Sequence, residues 1–276
     1  MTVWRQFIDG PYGQLHVRTA RAASNHGDDT TRAPLMCLHM SPKSSWQYID
    51  LLPEIARHRD AVAPDYPGHG ESDLPPPEPH VQLEDYARCM WTVADALGGG
   101  PLHLLGSHTG AMVAVEMAHQ RPGDVLGIVS QSAPVMTDEE IAAFSDAYAP
   151  IPLDEAGTRF TRLWARVLEH RGPNMPLTLC AESFAENLRS GDAYEWGHRA
   201  AFDYAPRYRD RLTSIATPIL VLNVNDDLCE HSRRADALMQ HGQRLELPEW
   251  GHGFLSVHAD DTAHIIERFC REVEAA

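Results

Sequence analysis

The chain has 276 residues, 43% of them hydrophobic, and carries 39 acidic against 23 basic side chains for a formal charge of −16. That length suits one large α/β domain with an insertion, or two domains, and the acidic excess argues against a surface that tracks nucleic-acid phosphates. No run of about 18 apolar residues is present, so no membrane-spanning helix is expected.

At the N-terminus, TVWRQFI (2–8) and GQLHVRT (13–19) flank the turn Asp9-Gly10-Pro11-Tyr12-Gly13 and predict an opening hairpin. The start lacks a basic stretch followed by an apolar run, so no signal peptide is expected. The polar run from Ala23 to Ala33 reads as a loop between strands, and APLMCLHM (33–40) and DAVAPDY (60–66) as buried strands. Between those strands Trp46, Ile49, Leu52 and Ile55 recur every third residue, which places them on one helix face. LEDYARCMWTVADALGGG (83–100) predicts a helix with a glycine stop. Then follow strand LHLLG (102–106), helix GAMVAVEMAHQRP (110–122) and strand LGIVSQSAP (126–134). TPILVLNVNDD (217–227) and QRLELPEW (243–250) predict two more strands, and DDTAHIIERFCREV (260–273) a closing helix. Strands joined through helices imply a mostly parallel, doubly wound α/β sheet covered on both faces.

From about Pro134 to Ile215 helical patterns dominate and no strand is evident. The predicted organisation is a core of residues 1–133 and 216–276 with a helical cap at 134–215 over the carboxyl edge of the sheet, where open α/β sheets bind ligands. Cys37, Cys89, Cys180, Cys229 and Cys270 are scattered and form no C-x-x-C pair, the pattern of reduced thiols in a cytoplasmic protein.

One motif sits on a strand-to-helix turn. LLGSHTG (104–110) has the G-x-S-x-G frame of a nucleophile elbow, with Gly106 and Gly110 leaving room for a tight turn, but a histidine at its centre. The frame puts His108 at the exposed apex. Alternation along the chain directs the side chain of Ser107 away from it.

Taken together, the segments resemble the α/β-hydrolase superfamily with a helical cap, over nearly the whole chain. LHMSPKSSW (38–46) is similar to the family's oxyanion loop, with Met40 in place of the usual glycine, and PDYPGHGESD (64–73) to its strand-four turn. LLGSHTGAMVAVEMA (104–118) resembles the elbow and its helix; VLNVNDDL (221–228) and WGHGF (250–254) resemble the acid and histidine loops. The resemblance implies a site of His108, Asp227 and His252; Asp227 is preferred because the family's acid lies about three residues past a glycine whose place Val224 takes, with Asp226 as the fallback. It implies oxyanion-hole N–H groups from Ser41 and Thr109, and a structural role for His39. Met40, Trp196, His198, Phe202 and Tyr204 are candidate substrate contacts, helix packing being the equal reading for the four on the cap. His16, His26, His58, His80, His119, His170 and His241 sit on polar patterns and carry no signal.

Two facing imidazoles suit acid/base work near neutral pH, one accepting a proton as the other donates. Three chemistries fit: attack by His108 on an ester or thioester, water activation or enolisation by the histidine pair, and cleavage or rearrangement at the oxyanion hole alone. The expected activity is hydrolysis of a small, partly apolar ester, thioester or activated carbon–carbon bond. A lyase or isomerase is the alternative, and a non-catalytic ligand binder the rival from another class. No cofactor is expected, since there is no phosphate-cradling loop and Gly98–Gly100 follows a helix instead of a strand. His39, His108 and His252 are similar to a catalytic zinc set, but these loops have other roles in the family, so no metal is expected. The expected partner is a small-molecule substrate, with neither nucleic acid nor membrane, and the expected state a monomer or homodimer.

Overall fold

The computed structural model describes residues 2–22 and 32–276, so most of the Ala23–Ala33 loop lies outside the described residues, as does His26. β1 (Trp4–Gly10) and β2 (Gly13–Ala20) form the expected antiparallel hairpin, register Gly10↔Gly13. Parallel strands follow: β3 (Leu35–Leu38), β4 (Ala61–Pro64), β5 (Leu102–Ser107), β6 (Val125–Gln131), β7 (Ile219–Val224) and β8 (Gly242–Leu247). They make one sheet in the order β1-β2-β4-β3-β5-β6-β7-β8, with β2 antiparallel to β4.

The central strands are apolar on both faces because both are covered. Alternate residues divide between two clusters: Met36, Leu104, Ile128 and Val221 point one way, and Cys37, Leu105, Val129 and Leu222 the other. On the first face pack α2 (Leu83–Ala96) and α3 (Thr109–Gln120), for which α1 (Leu51–Ile55) has the counterpart position on the second. α2 opens with a capping box between Gln82 and Asp85.

The predicted helix through Trp46, Ile49, Leu52 and Ile55 is broken in two. A 3₁₀ turn covers Ser45–Tyr48, and α1 starts only at Leu51. Pro53 has no N–H for the carbonyl of Ile49, so a continuous α-helix would lose that bond, and three-residue spacing matches the 3₁₀ period. Leu52 and Ile55 are buried, while Trp46 and Ile49 face a cavity.

Four helices separate β6 from β7: α4 (Asp138–Ala147), α5 (Thr158–Glu169), α6 (Leu177–Arg189) and α7 (Trp196–Ser214), with no strand among the described residues there. α7 is built into the main core, where Ala200, Tyr204 and Tyr208 join the cluster under α2 and α3. The short α8 (Cys229–Arg233) and α9 (Phe254–Val257) follow the two late loops, and α10 (Ala259–Glu274) closes the second face. Among the described residues no helix is long and apolar enough to cross a membrane.

Candidate active site

β5 ends at Ser107 and α3 begins at Thr109, which leaves His108 alone in the turn at φ 48°, ψ −107°. A non-glycine residue held there carries strain of ~1–3 kcal/mol, which the surroundings must impose. Close packing imposes it. A Cβ on Gly110 would collide with the Leu38 carbonyl, and one on Gly106 with the carbonyl of Gly110. Ser107 is fully buried, donating to Oε1 of Gln131 at 2.6 Å and accepting from Nε2 of Gln47 at 2.9 Å. Its hydroxyl is turned away from the cavity that His108 faces.

His108 meets the loop after β7. Its Nε2 lies 3.0 Å from Oδ2 of Asp226, a carboxylate that also accepts the Ser132 hydroxyl and the Leu228 N–H, each at 2.9 Å. On the neighbouring loop, Nε2 of His252 lies 3.1 Å from Oδ1 of Asp227. The Asn225 N–H donates to the Trp250 carbonyl at 2.8 Å and ties these two loops together. The rings of His108 and His252 are 5.3 Å apart. The sequence made Asp226 only a fallback to Asp227, but both aspartates are engaged, each by its own imidazole. The two histidine–aspartate pairs stand side by side, not in the single relay expected from one acid and one base.

Burial opposes the charged form of His108, yet the hydrogen bond and charge of Asp226, with Asp227 behind it, raise its pKa above the usual histidine value. Burial would raise both carboxylates, but hydrogen bonds from His108 to Asp226 and from His252 to Asp227 outweigh it and hold both below the usual range.

His39 belongs to the scaffold. It is fully enclosed, its Nε2 accepts the Tyr66 N–H at 3.0 Å, and its Nδ1 donates to the Met40 carbonyl at 2.8 Å. Burial pushes its pKa down to about 4, so it stays neutral. The three imidazoles compared with a zinc set are therefore not assembled; the side chains gathered with His108 and His252 are Asp226 and Asp227.

A cavity of about 180 Å³ opens above the pairs, walled by Met40, Trp46, Leu163, Val167, Met175 and Leu179. Ser41 borders it, Thr109 borders an adjoining recess, and neither backbone N–H has a protein acceptor among the described residues. Thr109 is the first residue of α3, where N–H groups lack intrahelical partners and the helix dipole favours an anion. His198 and Phe202 also reach these spaces. Trp196 and Tyr204 do not: Trp196 packs on His80, and the Tyr204 hydroxyl donates to Glu116 at 2.7 Å inside the core. The reason is helical phase. Positions 198 and 202 share one face of α7, while 196, 200 and 204 turn inward.

Two residues set aside in the sequence do more than expected. His170, at the end of α5, borders the cavity with its ring 5.3 Å from that of His252, and burial lowers its pKa despite Asp227. His16 is buried with its Nδ1 2.8 Å from Asp65. Lys43 was missed altogether. Its Nζ donates to the carbonyl and hydroxyl of Ser183, each at 2.7 Å, and to Asn187, which fastens the Met40–Ser44 loop to α6. Burial pulls its pKa down to about 7, with Glu186 opposing. The neighbouring Ser44 donates to Glu186.

A family model described as the alpha/beta hydrolase fold matches residues 33–259. The chain is 27% identical over 237 residues to a proline iminopeptidase of Lactobacillus delbrueckii subsp. bulgaricus, covering 74% of this chain and 77% of that protein. In structure it resembles an N-acyl homoserine lactonase, at a TM-score of 0.76 and 19% identity over 99% of this chain and 98% of the other. A thermophilic esterase from Thermogutta terrifontis gives a TM-score of 0.73 and 18% identity over 98% and 99%. At these identities the two structures speak for the fold alone.

Proposed function

Because the chain belongs to the α/β-hydrolase fold family, we propose that it is a hydrolase in which water, not a side-chain hydroxyl, attacks the carbonyl carbon. The observation that carries this is the apex: an imidazole where a hydroxyl would stand, 5.3 Å from a second imidazole, each with its own carboxylate. One ring accepts a proton from water as the other protonates the leaving group, and the aspartates hold each ring in place and support its cationic form. The N–H groups of Ser41 and Thr109 receive the developing oxyanion. Imidazole is bulkier than a hydroxymethyl group and crowds the position from which a nucleophile attacks, which favours water over acyl transfer to His108.

The apolar walls and small volume favour a compact, partly apolar ester, thioester or activated carbon–carbon bond. The helices at 134–215 serve as a cap, since α5 and α6 supply much of the wall. The test is a screen of short acyl esters, thioesters and small diketones, with His252→Ala as the blank. The expected loss in that variant is ~10²–10⁴-fold. Activity unchanged in His252→Ala removes the pair from the mechanism, and an acyl group trapped on His108 by rapid quenching replaces water attack with covalent catalysis. Turnover of a diketone without incorporation of solvent oxygen marks a lyase or isomerase instead.

A further inference from the structure

Three side chains that line the cavity, His108, Asp227 and His252, together with the enclosed Asp226, have a second property. One nitrogen each from His108 and His252 and one oxygen each from Asp226 and Asp227 lie within 4.8 Å of one another. Within the pairs the separations are 3.0 and 3.1 Å. Donors about 2.0–2.2 Å from a common metal ion stand roughly 3.0–3.5 Å apart, so the pairs already have the spacing of coordination edges. The carriers are three separate loops: the strained elbow, the turn after β7 and the turn before α9. Asp226 is aimed by the Ser132 hydroxyl and the Leu228 N–H, the kind of outer hydrogen bonding that orients a ligating carboxylate.

Charge points the same way. Two carboxylates lie next to each other in sequence at this spot, the Asp226 side chain fully enclosed, and among the described residues neither is bonded to a lysine or arginine. Two adjacent carboxylates in a confined site favour a positive partner, and a single divalent cation balances both. We infer that His108, Asp226, Asp227 and His252 form a binding site for one divalent transition-metal ion of the zinc type. Two imidazole nitrogens and two carboxylate oxygens suit zinc, cobalt or nickel, whereas calcium and magnesium call for more oxygen donors and disfavour imidazole. Bound there, the ion brings Lewis acidity to a water or carbonyl oxygen entering from the cavity. This binding rests on the cluster alone and is independent of whether the site hydrolyses anything.

The test uses untagged full-length protein stripped with a chelator and titrated with Zn²⁺ in a calorimeter, and with Co²⁺ while recording the visible spectrum, without substrate. The expected result is one ion per chain, with the intense absorption of four- or five-coordinate Co²⁺. Asp226→Asn and Asp227→Asn should each weaken binding by at least the ~10–100-fold that loss of an outer hydrogen-bonding partner costs a metal site, and removal of the exposed imidazole in His241→Ala should leave it unchanged. Urea unfolding of the stripped variants checks that the aspartate replacements remain folded. Sub-stoichiometric binding, or binding equally tight in both asparagine variants, overturns the site. Tight binding without any hydrolysis upholds it and sinks the preceding proposal instead.

Discussion

The side-chain amide of Gln47 donates to the hydroxyl of Ser107 at 2.9 Å, and its carbonyl accepts the Met40 N–H at 3.1 Å. One side chain thus joins the Met40–Ser44 loop to the elbow, and uses the serine beside the apex as a structural acceptor. Ser107→Ala should therefore keep turnover but lose about 1–3 kcal/mol of stability, because the half-buried amide of Gln47 and the buried amide of Gln131 each lose a partner. Urea midpoints alongside steady-state rates check this. A variant that is stable but inactive would return the hydroxyl to the chemistry.

A second prediction concerns acid. Asp65 is almost completely enclosed, accepts N–H groups of Ser45 at 2.6 Å and Glu71 at 2.9 Å, and faces His16. Burial alone would raise its pKa, but the bonds from His16 and Ser45 and the nearby His39 lower it below the usual value. A depressed carboxylate stabilises the fold above the unfolded pKa of about 3.9, and that contribution is lost as pH falls through the folded value. Asp65→Asn should be clearly less stable than the wild type at neutral pH, with the gap closing below about pH 4. Denaturant midpoints across that range decide it; a gap independent of pH would assign the effect to geometry alone.

The parts that were legible in the sequence share a physical cause. Strand and helix periods, and the glycines that let the elbow close, are local, and they place His108, Asp226, Asp227 and His252 in order along the chain. What the chain order hid is which atoms meet. Adjacent aspartates in one turn can serve two different histidines, so choosing between Asp226 and Asp227 had no local answer. The cap candidates depended on the rotational phase of α7, set by packing on α3 and invisible in a string of aromatics. His170 sits at the polar end of α5, and two residues on Gly172 packs against the backbone of His252. A glycine followed by proline after a helix marks a turn, but not what the turn touches.

The tie between Lys43 and α6 yields a third prediction. The Lys43 amine is satisfied by acceptors on α6, so Lys43→Met keeps the length and apolar stem while removing the attachment. Cleavage by trypsin or chymotrypsin within 138–214 should then accelerate relative to the core, and KM should rise more than kcat falls. A cavity-filling ligand should slow cleavage in both proteins. Equal resistance of the two, with unchanged KM, would mean that the cap is held by its apolar contacts and does not gate the site.

The apex itself gives the last prediction. His108→Ser supplies the hydroxyl that the elbow lacks, in a turn whose backbone is fixed by Gly106 and Gly110 and not by the imidazole. Fluorophosphonate labelling should appear in the variant at position 108 and be absent from the wild type, whose Ser107 is enclosed. Labelling should nevertheless be slow. In a serine triad the acid holds Nδ1 and Nε2 faces the hydroxyl, whereas here Nε2 of His252 is paired with Asp227, so Nε2 reaches a new hydroxyl only if the ring turns. The cavity was also shaped around a larger side chain, and a 1 Å error in placement costs on the order of a hundredfold. Hydrolysis of activated aryl esters should rise while the native reaction falls, since one of the two proton-transfer rings is gone. Mass spectrometry of the labelled peptide decides the matter: a label on Ser107 in the wild type, or full native turnover in His108→Ala, would make the histidine at the apex a spectator.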